Sequence, residues 1–165
     1  MHLLIPAAGS GRRMGSQRNK LLLTLLGKPL LSWTLAAAEA SQQISWIGIM
    51  GQPEDFPDFQ AIIRDLSPKK PIELIQGGAT RQESVYNGLQ ALPPDADRVL
   101  IHDGARCLAT PELFDRSADA LLGCPGLIVA IPVADTIKVV DERQIVRYTP
   151  EKSYLLSAQT PQGFE

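Results

Sequence analysis

The chain has 165 residues, 44% of them hydrophobic and 21% charged, with a formal net charge of −2. Those values describe one globular domain with its own core and exclude a disordered chain. They also give no support to nucleic acid or an anionic membrane surface as the main partner. The charge is unevenly spread. The first 38 residues carry five Lys or Arg and no Asp or Glu, leaving 11 basic against 18 acidic residues in the rest. A basic lobe on a mildly acidic protein points to a local anionic ligand. The start of the chain shows neither a charged leader nor an apolar span, and Cys107 and Cys124 fall in different predicted elements. Reduced thiols and a cytoplasmic protein are therefore expected.

Apolar runs predict strands over His2–Ile5, Ile44–Met50, Ile72–Ile75, Arg98–Ile101 and Leu127–Ile131. Helical patterns fall between them, at Leu30–Ala40, Phe59–Leu66, Thr80–Leu92 and Pro111–Leu122. Thr110 followed by Pro111 is a helix-start signal. The runs are continuous rather than alternating, as expected for strands covered on both faces. The β-α rhythm predicts an α/β fold, a Rossmann-like and mostly parallel sheet, with ligands outside the strands' carboxyl ends. After Ile131 the pattern changes. Asp135–Val140 and Gln144–Thr149, joined by Asp141-Glu142-Arg143, predict an antiparallel hairpin leaving the main domain. A lone hairpin is marginally stable, so a second subunit is its expected support.

The first strand runs into PAAGSGRRMGSQRNK, residues 6 to 20. Small residues let the backbone approach a ligand, and successive N–H groups make an anion-binding concavity. A dinucleotide fingerprint is excluded because Met14 stands where the third glycine belongs and no acid follows the second strand. A P-loop is excluded by the absence of G-K-[ST]. Four cations in nine residues, Arg12, Arg13, Arg18 and Lys20, suit a triphosphate, because phosphoryl chemistry needs positioning and charge neutralisation. The plainer reading, a tight turn with solvated cations, accounts less well for that density.

Two further clusters follow strands. Gln76-Gly77-Gly78-Ala79-Thr80-Arg81-Gln82-Glu83-Ser84 places glycines and a helix N-terminus where a base or ribose could lie, although alone it reads as a turn with Thr80 as N-cap. His102-Asp103-Gly104-Ala105-Arg106 offers a strand-terminal carboxylate of the kind that anchors Mg²⁺ and an arginine that could grip phosphate. His102 reads as structural, and zinc is not expected.

Taken together, PAAGSGRRM with Lys20, GGATRQESVYNGL, HDGAR, PVADTIK and AQTPQGF resemble the 2-C-methyl-D-erythritol 4-phosphate cytidylyltransferase family of the non-mevalonate isoprenoid pathway. The matches keep the family's order over essentially the whole sequence. The resemblance implies a single nucleotidyltransferase domain over 1–165 with a dimerisation arm over 135–155. It implies transfer of a cytidylyl group from CTP to methylerythritol phosphate, with Mg²⁺ bound and pyrophosphate released. Arg13 and Lys20 would be catalytic, neutralising charge on the α-phosphate and pyrophosphate. Pro6, Ala7, Ala8, Gly9, Ser10 and Gly11 would cradle the triphosphate. Gly78 and Ser84 would hold cytosine and ribose, with Asp103 and Gly104 in the ribose and metal region and Asp103 as metal ligand. Arg106, Asp135, Thr136 and Lys152 would take the second substrate, and the partners would be CTP, methylerythritol phosphate and a second copy of the chain. The location implied is cytoplasmic, or the plastid stroma for a mature plastid protein.

Three departures from the family pattern set further expectations. Glu151-Lys152 stands where an Asp-Arg pair is usual, which removes a bidentate fork. HDGAR replaces the commoner HDAAR, for which a looser loop is expected. Family chains continue beyond TPQGF, so a C-terminally incomplete domain, exposed sheet edges and reduced or absent turnover, with the CTP-site residues still present, are expected. Alternatives are a ribitol-phosphate or other sugar-phosphate nucleotidyltransferase and a catalytically impaired CTP-binding module; a Rossmann oxidoreductase, the third class, is discriminated by Met14 and the missing acid after the second strand.

Overall fold

The computed structural model describes residues 1–9 and 18–165. Along the chain it holds β1 (His2–Pro6), the short pair β2 (Thr24–Leu25) and β3 (Lys28–Pro29), α1 (Leu30–Ala40), β4 (Trp46–Gly51), α2 (Phe56–Leu66) and β5 (Ile72–Gln76). Then come α3 (Arg81–Gln90), β6 (Val99–Ile101), α4 (Pro111–Leu121), β7 (Gly126–Pro132), β8 (Val139–Val140), β9 (Val146–Tyr148) and β10 (Leu156–Phe164). The main sheet has six strands in the order β5-β4-β1-β6-β10-β7. β1 pairs parallel with β4 and β6, and β4 pairs parallel with β5. β10 runs antiparallel to both neighbours, β6 and β7. Its insertion leaves the expected mostly parallel sheet with one reversed strand.

Alternation along the buried strands sends side chains to both faces. Leu3 and Ile5 of β1 join Ile47, Ile49, Phe59, Leu35 and Phe114 in one core cluster, under α1, α2 and α4. Leu4 turns to the other face with Trp46, Met50, Ile75 and Ile101, where α3 supplies Val85. Burying each Leu, Ile or Phe of this kind stabilises the fold by about 1.5–3 kcal/mol. The helix α1 has no acidic residue in its first turn; at its other end Lys70 Nζ donates to the carbonyls of Ala38 and Glu39, at 2.9 and 2.7 Å. A cation there complements the helix dipole and satisfies orphan carbonyls.

The hairpin expected after Ile131 is present but shorter, pairing only Val139 with Tyr148 and Val140 with Val146. Its tip is drawn in by Asp141, whose carboxylate accepts from the backbone N–H of Arg143 and of Ile145 at 2.9 and 3.0 Å. Asp135 and Thr136 therefore stand outside the paired strands. β10, nine residues long, was not among the predicted strands. It carries Ser157, Gln159, Thr160 and Gln162, and its register breaks between Ala158 and Gln162, so it has no apolar run and the apolar-polar alternation of Leu156–Gln159 does not continue through it.

Candidate active site

From β1 the chain passes outward through β4 to β5, then returns to the opposite side of β1 as β6. The order of the strands reverses there, and ligands in open α/β sheets bind beyond the carboxyl ends at such a point. Three loops meet at it, following β1, β5 and β6.

The first loop leaves the sheet in register, with Ala7 N–H donating to the Met50 carbonyl at 2.7 Å. It returns at Asn19, which caps a 3-10 turn over Lys20–Leu22 by accepting from Leu21 N–H at 3.1 Å. Lys20 enters the cleft from this turn. Leu21 beside it is anchored in the core at 1% exposure.

The second loop touches the first. A Cβ on Gly77 would stand 2.6 Å from the Ala8 Cβ, so only glycine lets the two backbones lie this close. Gly77 N–H also donates to the Gly51 carbonyl at 2.8 Å. Thr80 caps α3 by accepting from Glu83 N–H at 3.1 Å, while the Glu83 carboxylate accepts from Ala79 N–H at 2.8 Å. Ser84, buried, accepts from Gly78 N–H at 3.0 Å and donates to the Thr80 carbonyl at 2.9 Å. Its hydroxyl thus shapes the glycine loop from within.

In the third loop, Asp103 bonds Arg81 Nη2 at 3.1 Å through one carboxylate oxygen and Arg106 Nε at 3.2 Å through the other. Burial pushes this carboxyl up, but the hydrogen bonds from Arg81 and Arg106 outweigh it and hold it below the usual carboxylate range. Asp103 is therefore ionised at neutral pH. Arg106 also donates to Gln159 Oε1 of β10. His102 is structural, as expected: it is fully buried, with Nε2 3.3 Å from the Arg106 carbonyl, Nδ1 3.0 Å from Thr160 Oγ1 and its ring edge-on to Phe114. Gly104 is packed closely rather than loosely. Its carbonyl accepts from Thr34 Oγ1 at 2.8 Å, and a Cβ there would lie 2.9 Å from Ile5 Cγ2.

The three loops enclose a cleft of about 380 Å³, within the range of small-molecule sites. Pro6, Ala7, Ala8, Gly9, Lys20, Gly78, Ser84, Asp103 and Gly104 all line it. Ser10, Gly11 and Arg13 lie outside the described residues. Arg106 stands beside the cleft on Asp103. Asp135, Thr136 and Lys152 do not line it; they belong to the arm, where Lys152 Nζ donates to the Ala134 carbonyl. Sequence reasoning missed Asn19, Arg81 and Thr160. Arg81 stood within the motif beside the more familiar glycines, whereas Asn19 bonds Ala7 and Asp55 and Thr160 bonds His102 and Asp103, all remote in sequence.

Among the described residues, no three His, Cys, Asp or Glu gather as a metal cluster. The donor set nonetheless fits Mg²⁺, which takes one or two carboxylates and completes its shell with water and substrate phosphates. Among the described residues, Asp103 is the one carboxylate lining the cleft, and it is ionised.

The sequence model of 2-C-methyl-D-erythritol 4-phosphate cytidylyltransferase matches residues 1–165. The chain belongs to this family. A 2-C-methyl-D-erythritol 4-phosphate cytidylyltransferase of Crocosphaera subtropica is 71% identical across all of this chain, which spans 72% of that protein. That of Trichodesmium erythraeum is 72% identical, again across all of this chain and 73% of the relative. The 4-diphosphocytidyl-2C-methyl-D-erythritol synthase of Anaerococcus prevotii superposes with a TM-score of 0.89 at 32% identity, covering 99% of this chain and 70% of its own. The Thermus thermophilus cytidylyltransferase gives 0.74 at 30% identity over 99% and 69%. The expected α/β nucleotidyltransferase fold and the enzyme class, a cytidylyltransferase, are thereby borne out.

Proposed function

We propose that this chain joins the phosphate of 2-C-methyl-D-erythritol 4-phosphate to the α-phosphorus of CTP, giving 4-diphosphocytidyl-2-C-methyl-D-erythritol and pyrophosphate. The observation that carries the reading is a cleft that gathers Pro6, Ala7, Ala8 and Gly9, Lys20, the glycine loop and Asp103 at the sheet's switch point.

The attacking group is an oxygen of the substrate's own phosphate, already anionic at neutral pH, so no side chain need remove a proton. A bond forms from that oxygen to the α-phosphorus as the bond to the β-phosphate oxygen breaks, and the electron pair leaves with pyrophosphate. Charge builds on the α-phosphate oxygens and the leaving group. Lys20 and Arg13 are assigned to neutralise it, with the backbone from Pro6 to Gly11 around the triphosphate; removing one such preorganised donor typically costs about 10²–10³ in kcat. Gly78, held by Ser84, is assigned to cytosine and ribose. Asp103 would hold Mg²⁺, which supplies further charge neutralisation on the phosphates.

Arg106, Asp135, Thr136 and Lys152 are assigned to the methylerythritol phosphate. Residues 1–165 are read as a single domain with 135–155 as its arm. Ile145, Val146 and Tyr148 are each more than half exposed on that arm, which supports its role in a homodimer. A cytoplasmic location accords with the free cysteines Cys107 and Cys124. No helix among the described residues is long and apolar enough to cross a membrane.

Nucleotide-dependent thermal unfolding tests the reading. CTP with Mg²⁺ at about 100 times its Kd raises stability by about 2.7 kcal/mol, whereas NAD leaves it unchanged. Stabilisation by NAD and none by CTP would contradict it.

A further inference from the structure

We propose that Asn19 and Asp55 form a positioning pair for Lys20, fixing the turn that presents the lysine to the cleft. The inference rests on the cytidylyltransferase reading and on the role given there to Lys20.

Asn19 is 5% exposed, yet it is a polar residue at the foot of a ligand loop. All its contacts are made inside the protein. Nδ2 donates to the Ala7 carbonyl at 2.6 Å and to Asp55 Oδ2 at 2.7 Å, while Oδ1 accepts from Leu21 N–H at 3.1 Å. Carbonyl and carboxylate oxygens only accept here and the amide N–H only donates, so the orientation of the Asn19 amide is settled by its partners. Both amide protons are used.

The geometry ties together three pieces of chain that are remote in sequence. The Ala7 contact joins residue 19 to residue 7, immediately beyond β1. The Asp55 contact reaches across 36 residues to the 3-10 turn Pro53–Asp55 that follows β4. The Leu21 contact begins the turn in which Lys20 sits, completed by Leu22 N–H donating to the Asn19 carbonyl at 3.0 Å. Lys20 is thus flanked by an asparagine locked at three points and a leucine buried in the core. Its backbone is held on both sides while its long side chain stays available to the cleft.

Asp55 is what makes the lock firm. It is half-buried, and as a carboxylate it forms a hydrogen bond stronger than one between neutral groups. Without it one amide proton of a buried asparagine has no acceptor, and the Asn19 side chain is free to rotate away from Ala7 or Leu21 to recover a partner. A displacement of about 1 Å in a charged group aimed at a transition state costs on the order of a hundredfold in rate, without contact between the mutated residue and the substrate.

The test is steady-state pyrophosphate release by the full chain, with kcat and KM for CTP separated and thermal unfolding recorded for each variant. The proteins are wild type, Asp55→Ala, Asp55→Asn, Lys20→Ala and the Asp55→Ala/Lys20→Ala double variant. Asp55→Ala is expected to lower kcat by roughly ten- to a hundredfold with a much smaller change in KM. Asp55→Asn, which keeps an acceptor oxygen for Asn19, restores most of kcat. In the Lys20→Ala background Asp55→Ala lowers kcat no further, because residues acting as a unit are non-additive. Asp55→Glu, which keeps the charge but moves it by one methylene, is the second probe should the alanine variant fold poorly, and it shifts kcat in the same direction. Wild-type kcat in both Asp55→Ala and Asp55→Glu, or losses that add to that of Lys20→Ala, would overturn the pair while leaving Lys20 in its role. Full kcat in Lys20→Ala would remove the role of Lys20 itself, and the inference with it.

Discussion

The Thr160 hydroxyl accepts the backbone N–H of Asp103 at 3.2 Å and lies 3.0 Å from Nδ1 of His102. The Arg106 carbonyl can only accept, so His102 Nε2 carries the proton and Nδ1 receives the one from Thr160. A strand that runs against the rest of the sheet thereby fixes the loop that holds the cleft's carboxylate.

Thr160→Val keeps the shape and removes the hydroxyl. Asp103 N–H and His102 Nδ1 both lose their partner, at a cost of about 1–3 kcal/mol for a buried unsatisfied group. Thermal unfolding should drop by several degrees, and CTP with Mg²⁺ should stabilise the variant less than the wild type. Unchanged unfolding would mean the link contributes nothing.

Burial holds the His102 pKa below its ordinary 6.5, with the Arg106 carbonyl only partly opposing that. A depressed folded pKa means the unfolded chain binds the proton more readily. Stability is therefore complete above pH 6.5 and is lost as pH falls through the lower folded value. Unfolding free energy of the ligand-free protein, measured from pH 7.5 downward, should decline below about 6.5. His102→Gln should remove that portion of the decline. A flat profile in the wild type would contradict this account.

Gly77→Ala places a Cβ 2.6 Å from the Ala8 Cβ and 3.3 Å from the Gly51 carbonyl oxygen. Neither neighbour has a flexible end that could give way, so the loops after β1 and β5 must separate. Calorimetric titration should show CTP affinity falling about tenfold or more, the effect of a pocket displaced by under an ångström. Wild-type affinity would show that the close approach is not needed.

Asp103→Asn removes the charge that Arg81 and Arg106 share. Stabilisation by CTP with Mg²⁺ should shrink towards that given by CTP with a chelator, which the variant should hardly feel. An Asp103→Asn protein with the full Mg²⁺ dependence of the wild type would place the metal elsewhere.

Much of this was legible in the sequence because the relevant signals are local. The helix α1 spans the predicted Leu30–Ala40, and β1, β4 and β5 begin or end within two residues of their apolar runs. The cleft residues carried by the glycine loop and by Asp103 follow strands directly, so topology alone brought them together. The rest depends on contacts between remote segments. β10 mixes Ser157, Gln159, Thr160 and Gln162 with Pro161 and Gly163, its strand state is set by the neighbours β6 and β7, and no sustained periodicity betrays it. Asn19 and Asp55 are unremarkable residues in a basic loop and a proline-rich turn. Only their meeting gives them a role.

The most direct test of the central claim is pyrophosphate release by the purified chain with CTP, Mg²⁺ and 2-C-methyl-D-erythritol 4-phosphate, beside Lys20→Ala. The account predicts release that requires both substrates and falls about 10²–10³-fold in the variant, the usual cost of losing one charge-stabilising group. No release from the wild type together with no stabilisation by CTP and Mg²⁺, or equal release from both proteins, would contradict it.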